Sequence, residues 1–569
     1  MSSEPPGSIG TPASKIAAAV GVVITVSPVA IEGQFGWLHI SPDSPVRRTG
    51  FVFCAPPGRD GRCAHRPMRD LAQSLARLGY PVLRLDPLGV GDSLDLGEGD
   101  DPWPVWRHGI EAGRDFLKAQ TGIDRVVMTG LRIAGRLAAE VAAEGLVLLA
   151  PIASGTTWLR ELKLAAAMSG TAESEGSEGL ESEGLYLSPA AMRGLGAVDL
   201  GGLENTKGEA LVFAQNLQAK AVATQLASQG MNTKIQDFPG YADLLQDSHS
   251  NKTPQGVFDE ILKWALEHFP EIQPSKNFKP PSTGYLGGVG FEEWPVSLGR
   301  GATGLLTRPE KAGGGGVIIC NTSREPRAGI GRLAVKIARN LALDGVTTLR
   351  LDFPGIGDSE IECTDHMYLA DRTEDFARAA DYLRQQGCAS VTLFGVCSGA
   401  FHVIRAMSTN SSLDQGYCVS SRLVWRKGDS LEPQFRDQGV ATANYMGKFR
   451  DRETWQRLLR RDIDLPAVLR TLALRLTQRV TALLNGRVSA HLRSGVAAIS
   501  ARGGSLRLVM GLDDSSLDEL ESYFGSKGRR LTALPGMSMR VLTDLDHGVA
   551  KAVSRDLILA DLRAFLKLN

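Results

Sequence analysis

Apolar runs of four or five residues recur along this chain and alternate with longer stretches of helical periodicity. "GVIIC", "TTLRL" and "SVTLF" are near-continuous rather than alternating, the pattern of strands buried on both faces. Each is followed by glycine-rich punctuation and then by a helix-period segment. Strands that alternate with helices predict right-handed crossovers and a mostly parallel, doubly wound sheet. Such sheets take their ligands beyond the carboxyl ends of the strands, so candidate chemistry is expected there.

The same pattern occurs twice. "LAQSLARLGYPVLRLDPLGVGDSLD" starts at Leu71 and "IARNLALDGVTTLRLDFPGIGDSEI" at Ile337, an offset of 266 that also relates Asp86 to Asp352 and Cys54 to Cys320. A chain of 569 residues is too long for one ordinary core. The expected organisation is a flexible leader over 1–30, a first α/β domain over 31–270, a linker over 271–284, and a second α/β domain over 285–569. A helical cap is expected at about 425–495, between the elbow helix described next and the strand that follows it.

"LFGVCSGAFH" (393–402) is a strand, a tight Gly-Val-Cys-Ser-Gly turn and a helix. This is the nucleophile elbow pattern G-x-Nuc-x-G, in which glycines make room for a turn that thrusts the central side chain clear of the sheet. Cys397 is that residue, placed near the positive end of a helix where a thiolate is stabilised. Ser398, one position on, is the alternative nucleophile, but the register of the elbow favours Cys397. Downstream, one strand ends at Asp513 and Asp514 and another leads to His547, the order of acid and base that this kind of sheet uses. His547 is the expected general base, and Asp514, favoured over Asp513, the carboxylate that orients it. An oxyanion would be met by the backbone N–H of Ser398 and one from the loop after "VIIC", at Thr322, with Asn321 beside it. The plainer readings are a packed thiol, a loop histidine and a helix-capping aspartate.

The first copy lacks these groups. "VVMTGLRIAGRLAAE" puts Arg132 where the nucleophile belongs and Ala134 at the second glycine. A guanidinium stays protonated and does not attack a carbonyl. A histidine, His249, is retained, but the acid position reads Gln215 and Asn216. Arg132 is a candidate for binding an anionic group of a substrate, its alternative being a salt bridge that plugs the vacated pocket.

Composition narrows the partners. Lys+Arg and Asp+Glu both number 63, so nothing in the charge points to nucleic acid or an anionic membrane. Seven scattered cysteines without C-x-x-C pairs favour a reducing, cytoplasmic setting over a disulfide framework or zinc. The apolar stretch 16–31 is short for a membrane span and contains a proline. The D-x-x-G-x-G-x-S segments follow the second strand of each copy and not the first, so they read as turns rather than dinucleotide loops, and no cofactor is expected. The Glu/Gly/Ser run 169–186 reads as a solvated insertion, and the arginines of the cap segment (450, 452, 457, 460 and 461) as an exposed helix face or a guide for an acidic partner.

These segments carry a resemblance. With "FGWLHISP", "TGLRIAGRLA", "ASGTTWLREL", "FGVCSGAFH" and "LVWRKGDSLE", the chain resembles the α/β-hydrolase superfamily over most of both halves. More narrowly, it resembles tandem bacterial α/β-hydrolase-like proteins labelled serine aminopeptidase-like or surface-polysaccharide-associated hydrolases. The resemblance implies two tandem α/β-hydrolase-like domains and a triad, and the serine of the label is here Cys397. At the G-x-C-x-G elbow alone the chain resembles polyhydroxyalkanoate synthases and dienelactone hydrolases, which implies that transfer and hydrolysis are both open. The expected function is acyl transfer through an S-acyl Cys397, as a thioesterase or acyltransferase acting on an ester or thioester, free or carrier-bound. The alternative is a non-catalytic binding or scaffold protein. Acyl group, acceptor and oligomeric state are not written in the sequence.

Overall fold

The computed structural model describes residues 11–19, 21–97, 99–169, 179–203, 207–272, 284–359, 367–425 and 486–568. The chain divides into two compact units, Met1–Pro295 and Val296–Asn569. The first sheet contains β1 (Thr25–Ile31), β2 (Gln34–Ile40), β3 (Thr49–Cys54), β4 (Val82–Leu85), β5 (Arg125–Leu131) and β6 (Gly145–Leu149). A hairpin of β7 (Leu180–Ser182) and β8 (Leu185–Leu187) stands apart, and β9 (Glu209–Ala214) and β10 (Asn232–Asp237) complete the sheet. Its order is β1-β2-β4-β3-β5-β6-β9-β10. β2 pairs antiparallel with β1 and β4, and every other pairing is parallel.

The second sheet runs from β11 (Leu286–Gly288) and β12 (Phe291–Ser297), where the unit boundary falls, through β13 (Thr303–Pro309), β14 (Gly315–Ile319) and β15 (Thr347–Asp352). β16 (Ser390–Val396), β17 (Gln415–Val419), β18 (Ser505–Gly511) and β19 (Met537–Leu542) follow. The order β13-β15-β14-β16-β17-β18-β19 repeats that of the first sheet from β2 onward, with β13 antiparallel to β15 and the strands beyond it parallel. Both sheets are mostly parallel, as the near-continuous apolar runs predict. Burial follows the apolar runs: β3 is buried at every position, and β5 and β16 at every position after the first.

The first sheet begins earlier than the expected boundary at residue 31. In β1, alternate residues Val29 and Ile31 are buried while their neighbours are not, as on a one-faced edge strand, and Pro28 is tolerated because an edge leaves one side of the ladder open. Residues Pro12–Ala19 before it are helical. The acidic run departs from expectation at its end, where Leu180 and Leu187 are buried in the β7–β8 hairpin. Its centre lies outside the described residues, as do residues 273–283 of the expected linker and most of the expected cap, of which Trp425 and the helix Gly486–Ala501 are described.

The two glycine turns are structural. At the end of β15 the buried Asp352 carboxylate accepts from the backbone N–H of Arg327 (2.8 Å) and Asp358 (3.1 Å), the Asn321 amide (2.8 Å) and the Arg327 guanidinium (2.7 Å). Gly357, at φ 56°, lies so close that a Cβ would stand 2.3 Å from that carboxylate. Gly91, at φ 53°, packs on Asp86 in the same way, with 1.9 Å to a Cβ. The first aspartate of each motif is thus spent on its own loop, which is why the glycine is required.

Candidate active site

Cys397 stands between β16 and the helix Ser398–Thr409 at φ 52°, ψ −113°. That region costs a residue with a Cβ of order 1–3 kcal/mol and persists only where the surroundings enforce it. Here they do. A Cβ on Gly395 would lie 2.5 Å from the carbonyl carbon of Gly399, and one on Gly399 would lie 2.7 Å from the carbonyl oxygen of Asn321. At this elbow a side chain at either position would force the backbone it meets to shift. The Cys397 N–H donates to Val419 O (2.9 Å), which carries the ladder one residue beyond β16.

Asp514 follows β18 and caps the next helix, its Oδ1 accepting from the Ser516 N–H at 2.9 Å. The same carboxylate faces His547: both oxygens lie 3.0 Å from Nδ1. Asp513, its neighbour, is not the residue on the ring. His547 sits in the loop between β19 and the helix Ala552–Leu566, five residues past the strand end. That loop is tied by Asp546, which accepts from the N–H groups of Ala550 (2.8 Å) and Lys551 (3.0 Å), and it approaches β18 closely enough that a Cβ on Gly511 would lie 2.3 Å from Leu545 O. Nε2 of His547 is buried without a hydrogen-bond partner, and the other ionisable group acting on the ring is Cys397.

Electrostatics separate Cys397 from Cys320, Cys388 and Cys418. Burial pushes the Cys320 thiol up to about 12 and raises Cys388 and Cys418 as well. Cys397 is as buried, at 3% exposure, and burial alone would raise it too; His547 first, then Tyr368, outweigh burial and bring it below its ordinary value. For His547, burial opposes the charge, but Asp514 and then Cys397 overcome it and raise the ring well above its usual range. Burial also opposes the Asp514 charge, and His547 leads the groups that hold it below the carboxylate range. A thiol lowered beside an imidazole raised is an arrangement that favours a thiolate–imidazolium pair.

The remaining expected residues divide. Ser398 Oγ is buried and accepts from the Ser323 N–H (2.7 Å), which ties it to the loop after β14, while its own N–H opens the helix, where no intrahelical acceptor exists. Thr322 Oγ1 donates to Val396 O (3.2 Å), so this loop is pinned against the elbow. Asn321 is turned away: Nδ2 donates to Glu325 O (2.9 Å) and Asp352, and Oδ1 accepts from the Phe353 N–H (2.8 Å). Its amide holds the loop and leaves no polar atom for a substrate. The physical reason is the buried Asp352, which needs donors nearby.

Three residues were not signalled by spacing. Tyr368 places its hydroxyl 3.7 Å from Cys397 Sγ, and its ring stacks on Trp425 with centroids 4.6 Å apart and planes within 10°. Arg422 lies over Trp425, 4.7 Å from its ring centroid, and its Nε donates to Val424 O (2.9 Å). "LVWRKGDSLE" drew attention to Trp425, but nothing along the chain connects it to Tyr368.

In the first unit Arg132 has the same elbow backbone, φ 55° and ψ −120°. Its guanidinium is fully engaged: Nε donates to Asp60 (2.8 Å), Nη1 to Tyr241 Oη (2.5 Å) and Nη2 to Glu161. Of the two readings open from sequence, the ion-pair plug matches these contacts. Asn216, where the acid is expected by comparison with the second unit, caps a helix by accepting from the Ala219 N–H (3.1 Å). Among the described residues no group of His, Cys, Asp and Glu is arranged to hold a metal ion, and no helix is long and apolar enough to cross a membrane.

No protein-family model and no curated protein matches the chain. Among solved structures it is similar to the esterase Pf2001 of Pyrococcus furiosus, at 13% identity and TM-score 0.31 over 49% of this chain and 92% of that one. It is also similar to Est1E of Butyrivibrio proteoclasticus with ferulic acid bound, at 18% identity and TM-score 0.32 over 43% and 99%. A third is brefeldin A esterase, a bacterial homologue of human hormone-sensitive lipase, at 14% identity and TM-score 0.31 over 47% and 89%.

Proposed function

We propose that the second unit is an acyl-transfer enzyme working through an S-acyl intermediate on Cys397. The observation that carries this reading is the Asp514 carboxylate 3.0 Å from Nδ1 of His547, the ring whose charge lowers the thiol at the strained elbow. His547 draws the thiol proton; Sγ attacks the carbonyl carbon of an ester or thioester, a C–S bond forms, and the oxyanion is met by the N–H groups of Ser398 and Thr322. Collapse breaks the bond to the leaving oxygen or sulfur, which takes the proton from His547. In the second half His547 removes a proton from water, an alcohol or an amine as it attacks the thioester, and the sulfur leaves as thiolate. Water gives a thioesterase or esterase, and another acceptor gives an acyltransferase.

The first unit is read as non-catalytic, because the elbow that would carry its nucleophile holds an arginine closed on two carboxylates and a tyrosine. We read the pair as a tandem duplication in which one copy lost its chemistry. The six described cysteines are free, which fits a reducing compartment. The test is intact-mass trapping with a panel of acyl thioesters and esters. A mass increment equal to one acyl group, lost in Cys397→Ala and in His547→Ala, supports the reading; an adduct that survives Cys397→Ala overturns it, and no adduct from any acyl donor favours a scaffold.

A further inference from the structure

We propose that Tyr368 is a further residue of this site, its phenolic O–H donating to the Cys397 sulfur and holding the thiolate in place for attack; this rests on the reading of Cys397 as nucleophile. The hydroxyl is 3.7 Å from Sγ, within range for a donor to sulfur. Either atom of a thiol–phenol pair can donate, but a thiolate only accepts. Burial, then Cys397 itself, raises the phenol, so its proton stays on oxygen while the sulfur ionises.

The ring is not placed by chance. His402, on the elbow helix, donates from Nε2 to Met367 O at 2.6 Å, and burial lowers that ring to about 4, so it stays neutral and fixes the backbone next to Tyr368. Trp425 stacks on one face of the tyrosine and Phe401 meets it edge-on, with centroids 5.2 Å apart. The groups that face this pair are His547 and Asp514 on the sulfur side, with Arg422 and Glu519 acting on the phenol. Arg422 lowers the phenol and Glu519 raises it, and Tyr368→Phe leaves both charges in place.

Tyr368→Phe removes the donor and keeps the ring stack. The rate of alkylation of Cys397 by iodoacetamide, measured against pH, reads the thiol titration directly: a C–S bond forms and iodide leaves. Loss of the bond is expected to move the midpoint up by about one unit, so alkylation below the midpoint falls roughly tenfold. The plateau above the midpoint stays equal or rises, because a more basic thiolate is the better nucleophile. Far-ultraviolet thiolate absorbance against pH gives the same midpoint without a reagent. An unshifted midpoint in folded Tyr368→Phe, or a rate lowered equally at every pH, overturns the proposal. Acylation that survives Cys397→Ala would sink the catalytic reading instead, and the thiol midpoint would still decide whether the tyrosine donates.

Discussion

Asp514→Asn is the most informative single change, because this residue does two jobs that asparagine separates. As a helix cap, asparagine replaces aspartate with little loss, so the 2.9 Å bond from the Ser516 N–H survives and the start of that helix is kept, whatever stability the lost pairing with His547 removes. As a charge beside His547 it has no substitute. At 3.0 Å, two unit charges attract by about 5 kcal/mol at an effective dielectric near 20, which is roughly four decades in rate. The amide keeps a dipole toward the ring and the ring is partly solvated, so the expected loss is smaller, about a hundredfold to ten-thousandfold in the rate of Cys397 acylation. The assay is rapid-quench intact mass after mixing with a reactive acyl thioester. A folded Asp514→Asn protein acylated within about threefold of the parent would show that the carboxylate serves the helix and not the imidazole.

Four other outcomes follow from the geometry. Gly395→Ala puts a Cβ 2.5 Å from backbone and should cost about 2 kcal/mol or more in chemical denaturation; a neutral result would mean that the elbow relaxes freely. Arg132→Met leaves Asp60 and Glu161 without their partner and should destabilise the protein by about 2 kcal/mol or more, the partial exposure of Glu161 being the reason it falls below a fully buried pair; an unchanged melt would contradict the plug. The folded His547 titrates above its unfolded value of about 6.5, so its contribution is complete below that value and lost as pH rises through the folded one. The difference in melting temperature between the parent and His547→Gln should therefore shrink as pH is raised above neutral, and a difference that grows would reverse the assignment. Ser398→Ala frees the Ser323 N–H and should slow acylation far less than Cys397→Ala; equal losses would make Ser398 a reacting group.

The sequence was legible where physics acts locally. Gly395 is held to glycine by the Gly399 and Ala400 backbone a few residues on, and although Gly399 is crowded by the distant Asn321 carbonyl, the two glycines leave a short local pattern that points to residue 397. The turn glycines at 91 and 357 are forced by the aspartates five residues before them, and a fixed offset made both copies visible. The meeting of Asp514 with His547 is legible because chain order along a parallel sheet decides which loops meet at its carboxyl edge. The place of Tyr368 is not, since its meeting with Cys397 and Trp425 depends on packing among loops that share no periodicity. Asn321 stands beside the expected oxyanion donor, which suggests a substrate contact, yet Asp352 lies 2.8 Å from its amide and claims it. Proximity along the chain does not reveal which buried charge must be satisfied first. The edge strand β1 is not distinct in sequence for a related reason: its apolar run ends in a proline-containing alternation that reads equally well as a leader.

Two elbows with nearly the same dihedrals and unlike residues bear on what the strain is for. Cys397 and Arg132 both occupy positive φ, 52° and 55°, although only the first sits beside a paired histidine. If the strain existed only for catalysis, a copy carrying arginine would have no reason to keep it. What both copies share is the junction itself: the elbow N–H donates to the end of the next strand, to Leu149 O at 2.8 Å in one unit and to Val419 O at 2.9 Å in the other. The turn is therefore part of how strand and helix are joined, its cost offset by that ladder bond and the close packing that the glycine two residues earlier, Gly130 or Gly395, permits. What differs is the side chain hung on the turn: a guanidinium met by Asp60, Glu161 and Tyr241 in one unit, and in the other a thiol that His547 and Tyr368 bring below its ordinary value.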